Sequence, residues 1–375
     1  KVWKGHENVI EGAFKFTERW NNMKEAEIPA EEIRKSFYVA VKMKVFAWNA
    51  SHEIDTVMTP YDSIKYHKQI LQTSFASMDP HTGEVKCWVG GVDYKWFKYD
   101  HVTAQRQVGS SFKPFIYATA FNKGFTPETV LFDLPTEFQS TCDAKGKALP
   151  GHNQKDCYMP DNYDGKFRGP ISLRNALAQS INIPAVKLFY LTGLKDSLKT
   201  AQDMGISTLT NVDQYGLTLV IGGGEVTVLD ITSAYGVFAD NGIKNPYTGI
   251  LKVENISGKI LEQYQTNENE IIPKNTALTI SSILSDNIAR TPTFGANSAL
   301  LITGRDVAVK TGTTNNNKDA WTIGYTPSIA VGVWAGNNNN TPMKKGGAAL
   351  AGPIWNKFMN EALKILPDEN CTIYA

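Results

Sequence analysis

Strand-like stretches near both ends of the main part of this chain, with helical patterns between them, constrain its fold more than any other feature. Thr73 to Met78 and Glu84 to Val89 read as two strands around the turn Asp79-Pro80-His81-Thr82-Gly83. Far downstream, Arg305 to Thr311, Ala320 to Tyr325 and Ile329 to Ala335 read as three more, followed by a helix from Pro353 to Leu363. Between them the periodicity is mainly helical: Ser172 to Gln179, Pro184 to Leu191, Val228 to Phe238 and Asn275 to Ile288, with one hairpin pattern from Ile250 to Tyr264 turning at Ser257-Gly258. Residues 125 to 170, rich in Pro, Gly, Asp and Asn, read as loops passing over a cleft. This order predicts an α+β domain in which an antiparallel sheet is assembled from both ends, flanked by helices, with a helical lobe inserted.

Upstream, a helix is expected through Val9 to Trp20 and a half-buried strand from Phe37 to Phe46, where Val39, Val41, Met43 and Val45 alternate with Ala40, Lys42 and Lys44. Thr59 then caps a helix opened by Pro60 and running through Leu71. Residues 1–70 read as a linker or small subdomain leading into a main domain over 71–375. A net charge of +1 gives no reason to expect nucleic acid or an acidic membrane surface as a partner. No apolar run is long enough to span a bilayer, and the chain opens at Lys1 without an initiator methionine, which allows it to be a piece of something longer.

The chemistry centres on Gly109-Ser110-Ser111-Phe112-Lys113-Pro114, which opens a helical pattern and is the chain's one S-x-x-K. On a helix, positions i and i+3 share a face, so the Lys113 amine would lie beside the Ser110 hydroxyl. A serine needs an adjacent base to become a nucleophile, and a lysine can be that base once desolvation or a second cation lowers its pKa. The free amides of a helix start would polarise a carbonyl held over Ser110. Taken alone, a capping serine and a solvated lysine would explain the motif as well. Two companions follow it in order.

Ser180-Ile181-Asn182 falls between two helical patterns, where a serine could relay a proton and an asparagine amide could hold a peptide group. Ser285-Asp286-Asn287 has the same form but lies in a pattern that reads as one continuous helix, so it is taken as helical surface or end. Lys310-Thr311-Gly312-Thr313 ends an apolar strand. Its lysine and threonine hydroxyls suit a carboxylate, and Gly312 lets a substrate backbone approach. The six histidines are scattered and the four cysteines lack metal or redox spacing, so neither a metal nor a cofactor is expected. Cys142 and Cys157 could close a local disulfide in an oxidising compartment and would be free thiols otherwise.

Together S-x-x-K, S-x-N and K-T-G are the set shared by penicillin-binding proteins and serine β-lactamases. Residues 70–360 resemble more specifically the transpeptidase domain of class A, bifunctional penicillin-binding proteins. The resemblance runs through Met78-Asp79-Pro80, Thr82 to Val85, Gly109 to Pro114, Asn162-Tyr163-Asp164-Gly165, Ser180 to Val186, Gly224 to Thr227, Ala234-Tyr235, Lys310 to Thr314, Asp319-Ala320-Trp321 and Gly324 to Pro327. Val108 departs from the proline common in the family and touches no reactive group. The resemblance implies a peptidoglycan D,D-transpeptidase acting on stem peptides that end in D-Ala-D-Ala and acylated by β-lactam antibiotics. Ser110 would be the nucleophile, Lys113 its base and Ser180 a proton relay; Asn182, Lys310, Thr311, Gly312 and Thr313 would bind substrate, with the amides of Ser110 and Thr313 as oxyanion hole. The Lys310 charge would also keep Lys113 readily deprotonated. The family's full-length members imply a membrane anchor and glycosyltransferase domain upstream, on the periplasmic face of the bacterial inner membrane. A class A β-lactamase would require a deacylating glutamate in an E-x-x-L-N setting, which is missing between Ser180 and Lys310. A non-catalytic β-lactam sensor shares the site motifs and differs in not forming crosslinks.

Overall fold

A computed structural model describes residue 5 and residues 7–138, 143, 147–151, 153, 158–211 and 215–371. The chain divides into two compact units, one of residues 1–72, 93–98 and 337–341, the other of 73–92, 99–336 and 342–375. Cys142 and Cys157 lie outside the described residues.

The first unit packs the helices Glu7–Gly12, Glu18–Glu25, Ala30–Ser36 and Pro60–His67 around Ile10, Phe14, Ile33 and Phe37. The single helix expected over Val9 to Trp20 is broken, because Thr17 Oγ1 accepts from Trp20 N at 3.2 Å and caps a new helix. The expected strand begins at Val41 instead of Phe37, whose ring stacks on Phe14 at 4.0 Å. It pairs with Glu53–Met58, a partner with no buried residue and no alternation of apolar and polar positions to mark it as a strand. Thr59 caps the next helix by accepting from Asp62 N at 3.0 Å, yet that helix ends at His67, four residues early. There His67 is tied back to the strand by a 3.2 Å bond from Phe46 N to Nε2.

The second unit is built on a five-stranded sheet. Its strands are β1 (Gln72–Met78), β2 (Val85–Val89), β3 (Ala308–Thr313), β4 (Asp319–Thr326) and β5 (Ile329–Gly336), in the spatial order β3-β4-β5-β1-β2. The pairs β1–β2, β3–β4 and β4–β5 are antiparallel, so the sheet does join the two ends of the unit. The helices that matter for the site are α1 (Lys113–Asn122), α2 (Leu173–Ala178), α3 (Asn182–Thr192), α4 (Val228–Ala239), α5 (Lys274–Ser285), α6 (Asn287–Phe294) and α7 (Gly347–Ala362).

Strands β4 and β5 are buried along their whole length because α4 covers one face and α7 the other. Alternation divides their side chains between two cores: Trp321, Ile323 and Tyr325 join Phe115, Tyr235 and Phe238, whereas Val331 and Val333 join Trp355 and Met359. Every residue of α4 is buried, which explains its lack of a polar stripe.

Two helix expectations are corrected. The pattern Asn275 to Ile288 is two helices, α5 and α6, separated at Asp286 (ψ 90°), whose carboxylate caps α6 by accepting from Ala289 N at 2.8 Å. Ile288, counted in the apolar face, is 87% exposed. The last helix starts at Gly347, six residues before Pro353, which sits inside it. Tertiary packing wins there: a Cβ on Gly347 would lie 2.4 Å from both Gly312 O and Trp321 O. Among the described residues no helix is long and apolar enough to cross a membrane.

Candidate active site

Ser110 does not lie on the α-helix itself but in a 3₁₀ turn, Gly109–Phe112, that feeds into α1 at Lys113. In a 3₁₀ turn positions i and i+3 eclipse, so the spacing of Ser110 and Lys113 is read on a different helix type from the one expected. Gly109 has φ +57°, and a Cβ there would come within 2.7 Å of Thr313 N and O. On the other side, a Cβ on Gly312 would lie 2.4 Å from Ser111 Oγ and 2.5 Å from Val108 O. The two glycines therefore let the nucleophile turn and the K-T-G strand touch backbone to backbone. Ser111 is fully buried and its carbonyl accepts from Tyr235 OH at 2.7 Å, which leaves half-buried Ser110 as the hydroxyl nearer solvent.

Lys113 has no exposed surface. Its Nζ donates to Ser180 O at 2.7 Å, Asn182 Oδ1 at 2.8 Å and Ile181 O at 3.1 Å. Ser180 occupies the connection between α2 and α3 with φ +60°, a left-handed conformation that costs a non-glycine residue about 1–3 kcal/mol and that surrounding bonds must hold. Lys310, 3% exposed, donates from Nζ to Ser180 Oγ and Thr311 O, both at 2.8 Å. The S-x-N loop is thus held between two lysines, one on its carbonyls and one on its hydroxyl. Ser285, the rival serine, ends α5; the hydroxyl bonded to Lys310 is that of Ser180. Thr311 is buried, and Thr313 Oγ1 accepts from Gly347 N at 3.0 Å, leaving its own proton to donate.

Burial, and after it the charge of Lys310, hold the Lys113 amine well below the ordinary lysine value. The three acceptors oppose this by stabilising the ammonium, but removal from water beside a second cation outweighs them. Burial and then Arg290 pull Lys310 down to about 7. Both amines are therefore held below the ordinary lysine value, chiefly by removal from water. The bonds of Lys113 Nζ all go to the S-x-N loop and none to Ser110 Oγ; a neutral amine at this place is a general base for a hydroxyl brought to it, and the Lys310 cation on β3 is an anion receptor. Among the described residues no cluster of His, Cys, Asp or Glu has the arrangement of a metal site.

Two participants escaped the sequence. Arg290, 3% exposed on α6, donates to Leu284 O and adds its charge near Lys310. Its only sequence signal was a lone arginine in an apolar helical pattern. Asn162 binds the start of α3, and sits in the N-Y-D-G stretch that was legible as a motif but not as a role.

A family profile, "Penicillin binding protein transpeptidase domain", matches residues 73–360, and another, "Penicillin-binding protein middle domain", matches residues 1–71. The chain is 34% identical over 303 residues to penicillin-binding protein 1A of Neisseria flavescens, covering 79% of this chain and 36% of that protein. It is also 34% identical over 306 residues to penicillin-binding protein 2D of Bacillus subtilis, covering 80% of this chain and 42% of that one. The chain therefore spans about two fifths of the length of these curated relatives. The crystal structure of penicillin-binding protein 1A from Haemophilus influenzae superimposes with a TM-score of 0.70 at 27% identity, over 80% of this chain and 49% of that one. With the profile covering most of its length, the chain belongs to the penicillin-binding protein transpeptidase family.

Proposed function

We propose that this protein is a peptidoglycan D,D-transpeptidase that crosslinks stem peptides ending in D-Ala-D-Ala through an acyl-enzyme on Ser110, and that β-lactams acylate the same serine. The observation that carries the reading is the chain of bonds Lys113–Ser180–Lys310, two amines of lowered proton affinity joined through one serine, beside the turn that bears Ser110. Neutral Lys113 takes the Ser110 proton as Oγ attacks the penultimate D-Ala carbonyl, and the amides of Ser110 and Thr313 receive the developing oxyanion. As the carbon–nitrogen bond breaks, the proton returns through Ser180 Oγ to the departing D-Ala amine. The amine of a second stem then attacks the ester, releases Ser110 and forms the crosslink. Lys310, Thr311 and Thr313 bind the terminal carboxylate, Gly312 admits the peptide backbone along the strand, and one Asn182 amide hydrogen remains for the donor peptide while the other is held by Asp161 O at 2.9 Å.

Residues 1–70 act in this reading as the segment between the transpeptidase domain and an upstream glycosyltransferase domain with a membrane anchor, at the periplasmic face of the inner membrane. The test is labelling with a fluorescent penicillin and mass spectrometry of the adduct, followed by assay of crosslinking and D-Ala release. Labelling that survives Ser110→Ala, or an adduct on Ser111, would overturn the nucleophile assignment. Lasting acylation without any crosslinking or D-Ala release would leave a β-lactam sensor instead.

A further inference from the structure

Helix α3 begins without a cap of its own. Its N-cap is Ile181, which has no side-chain acceptor, and Pro184 has no amide to satisfy, so the donors at its start without an acceptor inside the helix are Asn182 N and Ile183 N. Asn182 cannot serve itself, because its Oδ1 is engaged by Lys113 and its Nδ2 by Asp161 O. Both backbone amides are taken instead by a single remote atom, Asn162 Oδ1, at 3.0 and 3.3 Å.

Asn162, 4% exposed, is in turn fixed at its other end. Its Nδ2 donates to Asp133 Oδ1 at 2.7 Å and to Lys166 O at 2.8 Å, so both hydrogens and both lone pairs of the amide are used. Asp133 has no exposed surface and closes the strand Val130–Asp133, which pairs with Gly169–Ser172. Its Oδ2 accepts from Arg168 N at 2.9 Å. A line of bonds thus runs from a strand pair through Asp133 and Asn162 to the first turn of α3, and from there to the left-handed Ser180 and to Asn182.

We propose that Asn162, clamped by Asp133, is a positioning residue of the acyl-transfer reaction: it caps α3 from outside the helix and thereby holds Asn182 Oδ1 on Lys113 and Ser180 Oγ on Lys310. It touches no reacting atom. A cap drawn from the same strand of chain would have to sit at position 181, between the two residues that face the lysines, and that position is filled by a fully buried isoleucine. Supplying the cap from elsewhere leaves Ser180 and Asn182 free for chemistry.

The inference rests on the acyl-transfer reading, so wild-type labelling at Ser110 by fluorescent penicillin is measured first; its failure would sink that reading rather than this one. Asn162→Asp keeps the acceptor for the two α3 amides but turns a carboxylate oxygen toward the Asp133 carboxylate, where no proton lies between them. The double variant Asp133→Asn/Asn162→Asp restores one donor to that contact with the direction reversed. The expected result is an acylation rate constant at least about tenfold lower for Asn162→Asp, with the penicillin dissociation constant within about threefold of wild type, and a rate at least about threefold above the single variant in the double variant, short of wild type because a carboxylate oxygen still faces Lys166 O. Rates are taken well below each variant's melting midpoint. Wild-type acylation by Asn162→Asp, or a double variant no faster than the single one, overturns the proposal. Should Asn162→Asp not fold, Asn162→Ala carries the test alone: it should slow acylation to the same degree and speed amide hydrogen exchange at Asn182 and Ile183, and unchanged acylation overturns the proposal.

Discussion

Replacing Lys310 by methionine removes a buried charge while keeping most of the side-chain volume, and the geometry fixes the sign of the effect on Lys113. Lys113 Nζ lies 2.7 Å from Ser180 O, and Lys310 Nζ 2.8 Å from the hydroxyl of the same residue, so the two amines are one residue's width apart. Two unit charges bridged by a single residue, on the order of 4–8 Å apart, repel by about 2–4 kcal/mol at an effective dielectric of about 20, which is a shift of one or more pH units. The Lys113 amine is a base only when neutral, so acylation rises with pH through its titration. Without Lys310, Lys113 holds its proton to higher pH, and the acidic limb of the acylation profile should move upward. Because burial and Arg290 lower Lys310 to about 7, its charge acts in full only below that pH, and a shift of about one to two units is expected. Stopped-flow acylation by a chromogenic penicillin across pH measures the limb directly. A variant that binds penicillin more weakly but keeps its limb in place would refute the electrostatic argument and leave Lys310 as a carboxylate anchor alone.

Other contacts carry three more expectations. Asn182→Ala removes one of the three acceptors that stabilise protonated Lys113, so the same limb should move downward although the plateau rate falls, as the same pH profile would reveal. Gly312→Ala drives a Cβ into Ser111 Oγ and Val108 O, at 2.4 and 2.5 Å, and should cost about 1–3 kcal/mol in denaturant unfolding while acylation is nearly lost. Trp355→Ala empties the centre of the core between α7 and the sheet and should cost about 3–5 kcal/mol, with the acylation rate of the remaining folded protein unchanged.

Local signals in the sequence reached as far as elements whose partners are near in the chain or whose pattern is strong. The five sheet strands stood out because β-branched and apolar runs were bounded by turn residues, and Thr59 was readable as a cap because Pro60 and Asp62 surround it. Ser110, Lys113, Ser180 and Lys310 could be singled out because their residue types and spacing are chemical, whatever backbone carries them. The 3₁₀ form of the Ser110 turn was not legible, since it depends on how closely Gly109 approaches Thr313, a contact between distant parts of the chain. The break at Asp286 was hidden because the apolar spacing of α5 runs on in phase to Ile288, although the backbone turns out of the helix at Asp286 and leaves Ile288 exposed. Asn162 was overlooked for a related reason: a cap is ordinarily sought next to its helix, and this one is supplied from 20 residues away.

The sheet that joins the two ends of the second unit also sets a timetable for making the protein. Thr73 Oγ1 donates to Trp334 O across 261 residues, and β1 has β5 as its neighbour on one side. At about 5–20 residues per second, a ribosome that has finished β1 and β2 needs roughly ten to fifty seconds more to complete β5. During that interval β1 exposes an unpaired edge and Phe75 lacks the core it will share with Val331 and Trp355. The K-T-G strand is made after β1, β2 and the helices between them, so under the proposed function a growing chain carries Ser110 before it carries the strand that would bind substrate or antibiotic. Chains terminated before β3, β4 and β5 should be aggregation-prone and should take up no fluorescent penicillin, so under the proposed function the folding of the sheet and the antibiotic site arise together.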